Sequence, residues 1–143
     1  MAIVVLVTAL AAAARAQDIG ADNVVDARIR ASAEAAENLQ GPLDGGWRLL
    51  GQDGKPIYAF QFVDKPGGGD PLEGVWRDLR RTSTPGDIGL IDSLQRRPGA
   101  LTVSFVTSPG APAVTVLLRA GPGGWTGELH DAGAVTLVSM RRG

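Results

Sequence analysis

GWRLLGQDGKPIYAFQFVD, residues 46–64, reads as two extended segments joined by a tight turn. In the second segment Tyr58, Phe60 and Phe62 alternate with Ala59, Gln61 and Val63, the period of two expected of a strand with one buried face. Trp47 and Leu49 alternate with Arg48 in the first. Asp53-Gly54-Lys55 between them supplies a turn in which glycine accepts the positive φ that a tight hairpin demands. One such hairpin cannot bury its aromatic face by itself, so further strands must cover it.

The rest of the chain provides them. Apolar runs at 71–80, 87–95, 100–107, 112–119, 124–130 and 133–141 join those at 46–52 and 56–64, and Gly/Pro/Asp/Ser turns separate them throughout. No helix-length periodicity interrupts the series, which predicts an all-β domain over 44–143: a small, eight-stranded, antiparallel up-and-down barrel. At that strand number the interior is just wide enough to be filled by side chains or to hold one small ligand. Alternation places Trp47, Leu49, Tyr58, Phe60, Phe62, Leu72, Gly74, Trp76, Ile88, Leu90 and Leu94 inward, followed by Leu101, Val103, Phe105, Val114, Val116, Leu118, Trp125, Gly127 and Leu129. The last strand allows two registers, one burying Val135 and Leu137 and the other Val138 and Met140. Every tryptophan sits in a Gly-x-Trp triplet; the unequal spacings argue against a repeat, and a glycine two residues earlier is read as making room for the indole.

Ahead of the strands, Ile3 to Ala14 is uniformly apolar but too short to span a bilayer, and Ala14-Arg15-Ala16 has small residues where a signal peptidase reads. Residues 1–16 are therefore expected to be a signal peptide, giving a periplasmic or secreted bacterial protein. Residues 17–23 are expected to be disordered. Over 24–41, Val25, Ile29, Ala33 and Ala36 recur at helical spacing on a weakly apolar face, Asp26 and Arg30 form an i,i+4 pair, and Gly41-Pro42 supplies a stop.

Composition narrows the chemistry. The chain has no cysteine, so it contains neither disulfides nor thiolate metal sites. Removing Arg15 leaves 13 basic against 15 acidic residues, a net charge of −2, which does not favour nucleic-acid binding. His130 is the one histidine; Asp131 adjoins it, but no activated nucleophile accompanies the pair. Asp87 with Asp92 and Glu128 with Asp131 occupy ordinary turn and surface positions, and the glycines at 67–69 lack the lysine, hydroxyl and helix of a phosphate loop. Neither a catalytic site, nor a metal, nor a cofactor is expected.

Gly45-Gly46-Trp47 on the first strand, entered from a short helix and answered by arginine on the last strand, resembles the calycin group: lipocalins and the small bacterial periplasmic metalloprotease inhibitors. That resemblance implies a barrel closed at one end by Trp47 stacked on Arg141 or Arg142, a cation–π contact worth about 0.5–2 kcal/mol. The inhibitors typically carry a disulfide, which this chain lacks; lipocalins are longer, with a roomier cup.

Arg77, Arg80, Arg81, Arg96 and Arg97 lie on the third and fourth expected strands or just after them and are a candidate basic patch for an anion or an acidic partner. The competing architecture, an outer-membrane barrel, fits poorly: outward positions are charged, and one tyrosine cannot build aromatic girdles. The expected function is a non-catalytic binding or inhibitor-like module that presents its rim, outer face or N-terminal arm to a periplasmic protein. A carrier of one small apolar or amphipathic ligand is the alternative.

Overall fold

The computed structural model describes residues 23–35, 40–67 and 72–143, and the chain divides into two units, 1–39 and 40–143. In the first, helix α1 spans 23–35 and exposes Val24, Val25 and Ile29. The expected signal peptide lies outside the described residues, as does the N-terminal arm apart from Asn23. The helix was expected to run to residue 41, whereas Gln40 and Gly41 are non-helical.

The second unit is all-β. Its strands are β1 (Gly45–Gly51), β2 (Pro56–Val63), β3 (Glu73–Asp78), β4 (Ile88–Leu90), β5 (Ser93–Arg97), β6 (Ala100–Phe105), β7 (Val114–Gly121), β8 (Gly124–Asp131) and β9 (Ala134–Arg142). All pair antiparallel in one sheet, ordered β4-β3-β2-β1-β9-β8-β7-β6-β5. Five strands separate β3 from β6, which in a flat sheet would put them about 29 Å apart at about 4.8 Å per strand. Yet Trp76 on β3 stacks on Phe105 of β6 with ring centroids 5.0 Å apart. The sheet is therefore strongly curled into a barrel-like form around its aromatic face.

Nine strands replace the expected eight because the segment assigned to one strand at 87–95 splits. Ile91 N–H donates to Gly74 O on β3 at 3.0 Å, and the next amide, Asp92 N–H, donates to Ser104 O on β6 at 2.9 Å. The Asp92 carboxylate then accepts Val106 N–H at 2.9 Å. Consecutive amides thus serve opposite edges of the sheet, and the break shifts the alternation.

The shift corrects two core assignments. Ile88 and Leu90, expected inside, are 51% and 75% exposed. Gly89 faces inward instead, because the Trp76 indole occupies the space where a Cβ at 89 would lie, only 2.9 Å from the ring. The glycine that admits this indole is thus on the neighbouring strand and not two residues earlier; a Cβ at Gly74 would meet Gln61 O, Ile91 and Phe62. On β9 the register that buries Val138 and Met140 is the one adopted, leaving Val135 and Leu137 more than half exposed.

Elsewhere the inward alternation holds. Leu49, Tyr58, Phe60, Phe62, Trp76, Leu101, Val103, Phe105, Val114, Val116, Leu118 and Leu129 form the buried core with Leu43, Trp47 and Leu72, and Leu94 and Trp125 pack partly buried against it.

Candidate functional site

Most polar groups of consequence lie at the two ends of the curled sheet. Along β2 the chain passes from Tyr58 at one end to Asp64 just beyond the other, a distance of about 20 Å at 3.3 Å per residue.

At the Asp64 end, residues 41–44 form a strap. Gly41 N–H donates to Asp64 O, Leu43 N–H donates to an Asp64 carboxylate oxygen and Asp64 N–H donates to Asp44 Oδ1, each at 2.9 Å. The strap passes so close that a Cβ at Gly41 would strike the Asp64 carboxylate. Asp64 is fully buried, and its other oxygen accepts from Arg96 Nη2 at 2.5 Å. A buried carboxylate is tolerated only when its lone pairs are satisfied, and this network satisfies them.

Beside the strap, Trp47 donates its indole N–H to Leu43 O at 2.8 Å, and the Arg142 guanidinium lies 4.3 Å from the Trp47 ring centroid. Arg142 also donates to Pro42 O at 2.8 Å and to Asp44 O. Trp47 and Arg142 are directly opposite in the β1–β9 register, whereas Arg141 is opposite Arg48 on the outer face. Of the two arginines expected as candidates for the stack, Arg142 makes the contact.

Between the strap and the β5–β6 turn opens a cleft of about 500 Å³, walled by Pro42, Leu43, Pro98, Gly99 and Trp125 and flanked by Arg96 and Arg97. Its polar groups differ in availability. Arg96 is committed to Asp64, whereas Arg97 is exposed and, among the described residues, has no carboxylate within 4.0 Å. Trp47 and Trp76 give their indole N–H groups to carbonyls; Trp125 has no such acceptor among the described residues. Apolar walls with a few convergent polar groups, in a volume of this order, are the usual makings of a ligand pocket.

At the opposite end Arg80 clasps Asp78 through Nε and Nη2, both at 3.0 Å, and gives a further Nη2 hydrogen bond to Tyr58 OH at 2.8 Å. Burial pushes the Asp78 carboxyl up, but the Arg80 side-chain and backbone hydrogen bonds outweigh it and hold the group below its ordinary value. Burial raises the Tyr58 phenol, only partly opposed by the Arg80 charge. The hydrogen bond to Asp78 raises Arg80 in turn. This clasp closes an end of the core and leaves Arg80 no free fork.

The five arginines of the expected patch therefore do not converge. Arg80 and Arg81 lie at the Asp78 end, Arg96 and Arg97 at the Asp64 end, and Arg77 on the outer face of β3; β4 and β5 run on in one direction, carrying 96–97 away from 80–81. His130 pairs with Glu128 at 2.9 Å, both about half exposed. Among the described residues no three His, Cys, Asp or Glu side chains are grouped to hold a metal. Sequence reading missed the cleft because its wall comes from 42–43, 98–99 and 125, segments brought together only by the curl. The unpaired Trp125 beside Arg97 was likewise invisible without the pairing of Arg96 to Asp64.

Comparison with known protein families, characterised proteins and solved structures returned no match.

Proposed function

We propose that this chain is a non-catalytic, exported binding module on a small calycin-like barrel, and that it engages a protein partner through the cleft beside the 41–44 strap. The observation carrying this reading is the filled interior. Phe105 lies at the centre with its ring 5.0 Å from Trp76, 5.1 Å from Tyr58 and 5.9 Å from Phe60, so rings from opposite walls touch. A lumen filled this way supports recognition at the surface over the carrier alternative.

The cleft offers an apolar wall, an indole N–H and an uncommitted guanidinium. Its complement is an apolar side chain beside a carboxylate, as at the end of an acidic, hydrophobic peptide segment. Arg97 supplies a charge-assisted hydrogen bond and Trp125 the flat apolar surface.

Titrating the ¹⁵N-labelled protein with a short acidic peptide ending in Phe tests this. Shifts of the Trp125 indole and Arg97 resonances are expected, lost in Trp125→Ala and weakened when the peptide carboxylate is amidated. A peptide that moves neither residue, or a fatty-acid probe that perturbs Phe105 and Tyr58 instead, sinks the reading.

A further inference from the structure

The outer face of the sheet carries an arginine row that the fold does not need. Register places Arg141 of β9 opposite Arg48 of β1, Arg48 opposite Ala59 of β2, Ala59 opposite Arg77 of β3 and Arg77 opposite Ile88 of β4. Their chain neighbours Trp47, Leu49, Tyr58, Phe60, Trp76 and Asp78 are buried, so the row faces out, and all three arginines are exposed. Among the described residues none of the three has a carboxylate within 4.0 Å; the ion pairs use Lys55, Arg80, Arg96 and His130. Like charges directly opposite on adjacent strands are destabilising, and Arg48 facing Arg141 is such a pair. Packing gives no reason for the arrangement; an anionic ligand does.

A groove of about 340 Å³ lies on this row, lined by Gly46, Arg48, Ala59, Gln61 and Arg77 among others. Its floor is low because Gly46 and Ala59 are the smallest side chains available there. Arg48 and Arg77 stand on either side of Ala59, two strand spacings or about 9.6 Å apart at the backbone. The Arg48 side chain lies against Gly143, which also lines the groove; with both guanidinium forks turned over the small floor, each is able to bind two oxygens.

One fork suffices for a carboxylate, whereas two opposed forks with a third arginine behind them match a tetrahedral dianion with three peripheral oxygens. The chain's formal net charge of −1 and the shortness of the row argue against a nucleic-acid backbone. We propose that this groove binds the dianionic group of a small soluble phosphate monoester, with Arg48 and Arg77 as its direct ligands and Arg141 adding charge. The site is distinct from the cleft beside the strap and does not depend on that reading.

The test is a titration of the ¹⁵N-labelled full chain at low ionic strength, with inorganic phosphate and phenyl phosphate as separate probes and the singly charged phenyl sulfate as the control expected to bind more weakly. Expected are saturable shifts at Arg48 and Arg77 Nε–H with Arg97 unmoved. Affinity falls at least tenfold in Arg48→Gln and in Arg77→Gln but is kept in Arg119→Gln. Phenyl phosphate binds more tightly at pH 7.5 than at pH 5, because its second ionisation near pH 6 supplies the dianion. Arg48, Arg77 and Arg119 are all exposed, so the three variants are expected to fold, and unchanged circular dichroism spectra check this. Equal weakening in Arg119→Gln, shifts spread over all the arginines, or displacement by the same concentration of chloride overturns the proposal in favour of general ionic attraction. Capture by phosphatidic-acid vesicles with no response to the soluble probes overturns it in favour of a membrane surface.

Discussion

At the scale of single residues, the two buried aspartates dominate. Asp64 satisfies a backbone N–H of the strap and the guanidinium of Arg96 at once. Asp64→Ala orphans both, and removing one partner of a buried pair costs about 3–5 kcal/mol, here toward the lower figure because the Arg96 side chain is about a quarter exposed. The urea midpoint is expected to fall accordingly, and amide exchange at Leu43 to accelerate; unchanged Leu43 protection would show that the strap is held by something else. Asp78 supplies the pH dependence. Its folded value lies below the ordinary 3.8, so its contribution is complete above that value and is lost as pH falls through the lowered folded value. Asp78→Asn is expected to cost about 1–3 kcal/mol at pH 7 and to flatten the acid limb of stability against pH. A mutant whose acid limb runs parallel to the parent's would assign that limb to other carboxylates.

At the scale of elements, legibility followed the hydrogen-bonded ladders. The hairpin at 46–64 and strands β6 to β8 were readable because their alternation holds, apart from a register shift at Leu49/Leu50 beside the hairpin turn, and each turn carries glycine, proline or aspartate. The fourth expected strand misled because Ile88, Leu90 and Leu94 share one parity in sequence, while the break at Ile91-Asp92 reverses the faces between them. The controlling fact is the Trp76 indole over Gly89, a contact between strands that periodicity within one strand cannot reveal. The arginine patch failed for the same reason: neighbouring strands do not guarantee neighbouring ends. Gly89→Ala forces a methyl against the rigid indole, and overpacking of this kind costs about 1–3 kcal/mol. Because the ring must move, the near-ultraviolet circular dichroism band of Trp76 is expected to change as well. Gly86→Ala in the preceding loop meets no atom within 4 Å, although its φ of 84° strains any side chain, so it separates backbone strain from the clash: it should lower stability and leave that band alone.

At the scale of the whole sheet, the decisive quantity is the space left inside the curl. Phe105 comes from β6, while the rings it meets come from β2 and β3, near the other edge of the strand order. It is thus a side chain through which the two halves of the sheet touch, as they also do through the Arg96–Asp64 pair. Truncating it to alanine loses transfer free energy and leaves a cavity, together about 3–5 kcal/mol. The void would be walled by Tyr58, Phe60 and Trp76 and offers water few partners, so it is expected to stay dry and accept a small apolar guest. Phe105→Ala should therefore be less stable yet bind benzene, with its melting temperature recovering as benzene is added, whereas the parent protein should show no such rise. Equal stabilisation of the parent by benzene would mean that the interior already holds accessible space, and the carrier reading would then displace the surface-binding one. If the variant gained no affinity, the two halves would have closed over the void, and the interior would be set by collapse of the curl more than by the bulk of one ring.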